Sequence, residues 1–360
     1  MAGLSVNRRS FLLSTIALGS GLALASRGQA ESLFAGRTVK VALSGGGSWR
    51  DSVEKRVGPH ITAQGGTLEF LVDAPQGSIA KMIAARGGPA PFDVLESGPN
   101  LIQLAQRVVV DLDYAKIPNA AALPAYMRGK DYVWNCASQD CIVYNTDIFK
   151  QNGIPVPQQY KDLAHPALKG KVAIPDINHV QHWNAVVGMA YDNGGDESKL
   201  EAAIPVINRI HPNYFYATST DLGQKMASGE IWAAAWHSGW AVRLRKSGLP
   251  ISAVYAKFGE KQRGALWPVI LQLSKGAPQA DFGLDFINLY LDPEVQSQHA
   301  KATGVIPVNP SALKTLADDP VVKELMLLDE KDMDNLYVVD FSKINQAKWR
   351  DLWNREVVRS

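Results

Sequence analysis

The chain has few of the features that announce a function directly. Of its 360 residues only two are cysteines, Cys136 and Cys141. A lone Cys-x4-Cys with no third ligand nearby matches zinc spacing poorly, so no metal is expected. The pair is either a small disulfide loop, if the chain reaches an oxidising compartment, or two free buried thiols. There is no Gly-x-Ser-x-Gly elbow, no His-Glu-x-x-His pair and no dinucleotide fingerprint. The Gly-rich stretch 44–48 lacks the Gly-Lys-Ser/Thr ending that would hold a nucleotide phosphate. The expectation is therefore no enzyme and no cofactor. His179 and His182, three apart, are read as surface residues rather than as a metal site. Nor is charge of one sign concentrated anywhere, which excludes nucleic acid and anionic membrane as partners. No low-complexity tract or repeat interrupts the chain. The one long apolar run, residues 11–25, is shorter than the roughly 20 residues that span a bilayer.

What is present begins with that run. Asn7-Arg8-Arg9-Ser10-Phe11-Leu12-Leu13 places a twin arginine ahead of it, and Gly28-Gln29-Ala30 closes it with small residues. That order is an export signal, it resembles the twin-arginine type, and no cysteine follows it to accept a lipid. The expectation is a signal peptide over 1–30, cleaved near Ala30, and a soluble, monomeric mature chain in the periplasm. Residues 1–30 hold Arg8, Arg9 and Arg27 and no acid, so 37 basic against 35 acidic residues becomes 34 against 35. Roughly 330 mature residues exceed what one core usually supports, so two lobes are expected.

Residues 38–43 read as a strand, 44–48 as a turn and 49 to about 63 as a helix. The alternation repeats with a strand at 67–72, a helix at 78–86 and a strand at 92–95. Later strands are read at 140–144, 171–174, 231–235 and 266–273, with helices at 182–191, 221–228, 282–291 and 294–303. Such alternation implies an α/β fold with mainly parallel sheets, whose ligands sit beyond the carboxyl ends of the strands. The polar and aromatic residues at those ends are the candidates: Ser44 to Trp49, Asp73 to Ser78, Glu96 to Asn100, Asp176, and Trp236 to Trp240.

These residues resemble a family, the extracytoplasmic solute-binding proteins of ABC importers, in the subgroup that includes spermidine/putrescine-binding proteins. The resemblance rests on Pro91-Phe92-Asp93-Val94, on Cys141-Ile142-Val143-Tyr144-Asn145-Thr146, on Ala227-Ser228-Gly229-Glu230-Ile231 and on Gly304-Val305-Ile306-Pro307-Val308-Asn309. It runs in order over almost the whole mature chain. It implies a two-lobed periplasmic-binding-protein fold of type II, with two hinge strands crossing near 139–144 and 267–271. Lobe one would be 31–139 plus 269–310, and lobe two 140–268 plus 311–360. The implied function is capture of a small molecule in the interlobe cleft and delivery to a membrane permease.

In polyamine-binding members, carboxylates pair with ammonium groups and aromatic rings sandwich the methylene chain. Carried over, the rings fall on Trp236 and Trp267, but the acids fall on Val269 and near Ile177 and Val180. A diammonium ligand buried without counter-charges would be strongly disfavoured. The expected ligand is a small amine-containing or zwitterionic solute, held by Ser44, Trp49, Glu96, Ser97, Asp140, Asp176, Trp236, Trp240 and Trp267. Arg50, Arg243 and Arg263 are available for a ligand carboxylate or phosphonate. Two other readings stand beside this one. Tyr214 and Tyr216 could bind iron(III) as in iron-binding relatives, and folded export would also suit a cofactor-bearing enzyme.

Overall fold

A computed structural model describes residues 34–259 and 262–358; the signal-peptide reading of 1–30 lies outside them. In chain order the elements that position the site are β1 (Thr38–Leu43), α1 (Ser48–Ala63), β2 (Thr67–Val72), α2 (Pro75–Ala84), β3 (Val94–Ser97) and the long β4 (Val133–Asn145). They continue with β5 (Val172–Pro175), α3 (His182–Tyr191), β6 (Tyr214–Tyr216), α4 (Ser219–Ala227), β7 (Ala233–His237) and α5 (Ser238–Lys246). Then come β8 (Ala265–Ser274), α6 (Ala280–Tyr290), α7 (Pro293–Thr303) and α8 (Gln346–Glu356).

The strands run in the order β2-β1-β3-β8-β4-β7-β5-β6. Each outer wing is parallel: β1 pairs with β2 and β3, and β5 with β6 and β7. The central strands β8 and β4 are antiparallel to each other and to the wing strands beside them, with Trp267 opposite Ser138. Two parallel wings joined by two crossing strands are the expected α/β two-lobed fold. One apolar core lies under the first wing, where Val39, Val41, Val53 and Ile61 meet Phe282 and Phe286. Another packs α3 against α8 through Trp183, Trp349 and Trp353.

Two local departures from the sequence reading have physical causes, and the structure decides between the two readings of the cysteine pair. The third strand begins at Val94 rather than Phe92, because the Asp93 carboxylate accepts the backbone N–H groups of Lys40 and Gln279 at 2.8 and 2.7 Å. The strand expected at 231–235 starts two residues later, since the N–H groups of Ile231 and Trp232 go to the carbonyls of Lys225 and Lys171. Cys136 and Cys141 are both free and buried. They sit five residues apart on one extended strand, about 16 Å at the usual rise per residue, far beyond the reach of a disulfide.

Candidate ligand-binding cleft

A cleft of about 670 Å³ opens where the two wings face each other. One wall comes from the segments after β1 and β3, with Ser44, Trp49, Ser97 and Gly98, and from the start of α2 at Pro75 and Gln76. The other comes from the segments after β5, β6 and β7, with His179, Gln181, Thr218 to Thr220, His237 and Trp240. Ser138 and Trp267, partners across the crossing strands, also line it. Parallel strands deliver their following helices to this place amino end first. The starts of α1, α4 and α5 therefore bring N–H groups and positive partial charge to the cleft. The turn into α1 depends on Gly47, whose φ of +56° is left-handed.

The first wall is organised from behind by Glu96, which is 1% exposed. Its carboxylate accepts the Ser44 N–H at 2.9 Å, the Ser44 hydroxyl, the Trp49 indole N–H at 3.2 Å and the Asn135 amide at 3.3 Å. Burial pushes the Glu96 pKa up, and these hydrogen bonds oppose the shift. Three of the four donors are N–H groups that can only donate, so the arrangement suits the ionised form. Ser97 donates to Gln272 at 2.7 Å.

The second wall carries the cleft's charge. Arg243 lies over the Trp240 ring at 4.9 Å and donates to the Thr303 carbonyl. Burial lowers its pKa, yet a guanidinium remains a cation. Trp240 stacks on Trp236 at 5.2 Å. Burial pulls His179 down to about 4 and, with Arg243 and His179 adding to it, His237 down to about 3, so both are neutral at physiological pH. Among the described lining residues Arg243 is the only Lys, Arg, Asp or Glu.

Of the nine residues expected at the site, Ser44, Trp49, Ser97, Trp240 and Trp267 line the cleft, and Glu96, Asp140, Asp176 and Trp236 do not. Glu96 stands behind Ser44 and Trp49. Asp140 is buried in β4, accepting from Asn184 at 2.8 Å and from Ser138 at 3.1 Å, and desolvation raises its pKa well above the carboxylate range. Asp176 closes a turn by accepting the Asn178 N–H and side-chain amide, each at 3.0 Å. Trp236 lies within β7 rather than beyond it, so its ring is buried and its N–H goes to Ser219 at 3.0 Å. Of the three arginines offered for an anion, Arg243 lines the cleft. Arg50 instead pairs with Asp51 at 2.6 Å, and Arg263 is exposed elsewhere.

Tyr216 is buried with its hydroxyl on the Ala235 carbonyl, and Tyr214 donates to Asp221; neither lines the cleft, which removes the basis of the iron reading. His182 is fully buried rather than on the surface. The residues missed in the sequence, chiefly Ser138, Gln181, Thr218 and Ser219, lie on or just past strands and at helix starts. One signal was there to be read: Thr218-Ser219-Thr220-Asp221 has the spacing of a helix start, and the Thr218 hydroxyl does accept the Asp221 N–H at 3.3 Å.

Comparison with known proteins agrees with this architecture. A putative extracellular solute-binding protein from Bordetella parapertussis superposes with a TM-score of 0.73 at 18% identity, covering 89% of this chain and 99% of that one. An ABC transporter protein from Clostridium perfringens gives 0.70 at 24% identity, covering 89% and 100%. In sequence, the spermidine/putrescine-binding periplasmic protein of Escherichia coli K12 is 24% identical over 233 residues, 63% of this chain and 66% of that relative, just under two thirds of its length. A putative 2-aminoethylphosphonate-binding periplasmic protein of Salmonella typhi is 24% identical over 305 residues, 82% and 85%. No helix among the described residues is long and apolar enough to cross a membrane. Residues 62–325 match the family model described as bacterial extracellular solute-binding protein, and with two wings, two crossing strands and a cleft between them, the chain belongs to that family.

Proposed function

We propose that the protein is the exported solute-binding component of an ABC importer, and that it captures a small solute bearing an anionic group, with an amine also present, for delivery to a membrane permease. One observation carries the reading: the described residues lining the cleft include Arg243 and the starts of α1, α4 and α5 but no carboxylate. An anion gains there from the guanidinium and from N–H groups aimed at it. A diammonium chain would bury two charges against a wall of the same sign. Val180 and Val269, near which the polyamine binders' acids would fall, line the cleft as hydrocarbon. Trp49, Trp240 and Trp267 supply flat apolar surface for the ligand's body, and a ring face can attract an amine by about 0.5–2 kcal/mol. An aminoalkylphosphonate, the class named for the Salmonella relatives, meets all of these demands.

Calorimetry on the protein without residues 1–30 tests the reading. 2-Aminoethylphosphonate should bind with at least tenfold higher affinity than putrescine, and Arg243→Gln should abolish that preference. Submicromolar putrescine binding with no response to the phosphonate would sink the proposal.

A further inference from the structure

Hydrogen-bond accounting on the two walls fixes which hydroxyl must donate and which must accept. Ser219, half-buried at the cleft, accepts the Trp236 indole N–H at 3.0 Å. The His179 Nδ1 accepts the Gln181 N–H at 3.3 Å, which in a neutral imidazole puts the proton on Nε2, 3.4 Å from Ser219 Oγ. With both lone pairs of Ser219 engaged, its own proton is left to donate into the cleft. Ser44 is the reverse. Its N–H and O–H both go to Glu96, so what it presents to the cleft is lone-pair density with a buried carboxylate directly behind.

We infer, resting on the reading that this cleft takes a small anion-bearing solute, that the ligand is zwitterionic and lies in one orientation, its anionic oxygens on Ser219 and Arg243 and its ammonium on Ser44 backed by Glu96. The second wall offers donors and a cation, whereas on the first the Ser44 hydroxyl offers an acceptor with an anion one hydrogen bond away, which outweighs the partial positive charge at the start of α1 beside it. A zwitterion reversed in the cleft would set like charge against like at both ends. Glu96 is thus a positioning residue that works through Ser44, and its effect depends on whether the ligand carries an amine.

Calorimetry with 2-aminoethylphosphonate and with ethylphosphonate, which differ by the amine, separates the two ends. Ser219→Ala should weaken both probes by a similar factor, about tenfold, the scale of one hydrogen bond to a charged group. Ser44→Ala and Glu96→Gln should weaken the aminated probe about tenfold and ethylphosphonate less than about twofold, erasing the advantage of the amine. Melting temperatures without ligand check that each variant folds, and Ser44→Ala carries the amine test if Glu96→Gln does not. Loss of both probes alike in Ser44→Ala, or unchanged binding of both by Ser219→Ala, overturns the orientation while leaving the anion site standing. Binding of neither probe by the parent protein overturns the functional reading, and the orientation falls with it.

Discussion

Trp267 shows how one side chain can serve the fold and the site together. It is 4% exposed, meets Phe341 edge-on at 5.8 Å and still lines the cleft. Gly98 lies so close under the ring that an added Cβ would come within 2.8 Å of it. Trp267→Ala should then do two things: weaken ligand binding by about 2 kcal/mol or more, and cost about 3–5 kcal/mol of stability through the cavity it leaves. Gly98→Ala separates the roles, because it pushes the ring without removing it and should cost only about 1–3 kcal/mol in stability. If calorimetry with 2-aminoethylphosphonate finds unchanged affinity in both variants wherever they remain folded, Trp267 belongs to the core alone.

At the scale of elements, α3 begins with a histidine held neutral by its surroundings. His182 Nε2 accepts the Trp349 indole N–H at 2.7 Å, so the Nδ1–H points at the Pro175 carbonyl, 3.3 Å away. Burial, with Arg350 and His179 adding to it and Asp176 opposing, pushes its pKa from 6.5 down to about 3. The folded pKa lies below the unfolded one, so the contribution is full above about pH 6.5. It declines by about 1.4 kcal/mol per unit as pH falls towards 3, because only the unfolded chain takes the proton. His182→Gln should be less stable than the parent at pH 7.5, with the gap narrowing by about 2 kcal/mol at pH 5 in urea unfolding. A gap that stays constant with pH would refute a neutral His182. The helix itself was legible in the sequence, as were β1 and β2, because alternation and apolar periodicity follow from which face is buried. The first half of β4 was not. All thirteen of its residues are buried, and Asn135, Ser138 and Gln139 break the apolar pattern. Gln139 is satisfied by groups far along the chain, accepting from Tyr255 at 2.7 Å and from the Leu327 N–H at 3.0 Å, and no local spacing reveals such partners. The same gap hid Glu96 and Asp140: strand ends point to a wall, but whether an acid stands in it or behind it depends on donors elsewhere in the chain.

On the scale of the whole molecule, the proposed division puts 31–139 with 269–310 in one lobe and 140–268 with 311–360 in the other, and two contacts then bridge them beside the cleft. Arg243 of α5 donates to the Thr303 carbonyl at the end of α7, and Gly239 in the first turn of α5 meets Gly304 backbone to backbone. A Cβ at Gly239 would lie 2.4 Å from the Gly304 carbonyl oxygen, which is backbone and has little room to move. The positive end of one helix thus abuts the negative end of the other, and the Arg243 that would hold the ligand's anion also holds this junction. A ligand bridging the walls should close the lobes about the crossing strands, the signal a permease could read. Small-angle scattering should show a smaller radius of gyration on saturation with 2-aminoethylphosphonate, together with a higher melting temperature by mass action. Gly239→Ala should keep the junction wedged, so that ligand still raises the melting temperature while the compaction is much reduced. Scattering that does not change with ligand in the parent, despite calorimetric binding, would mean the junction is rigid and the lobes do not move against each other.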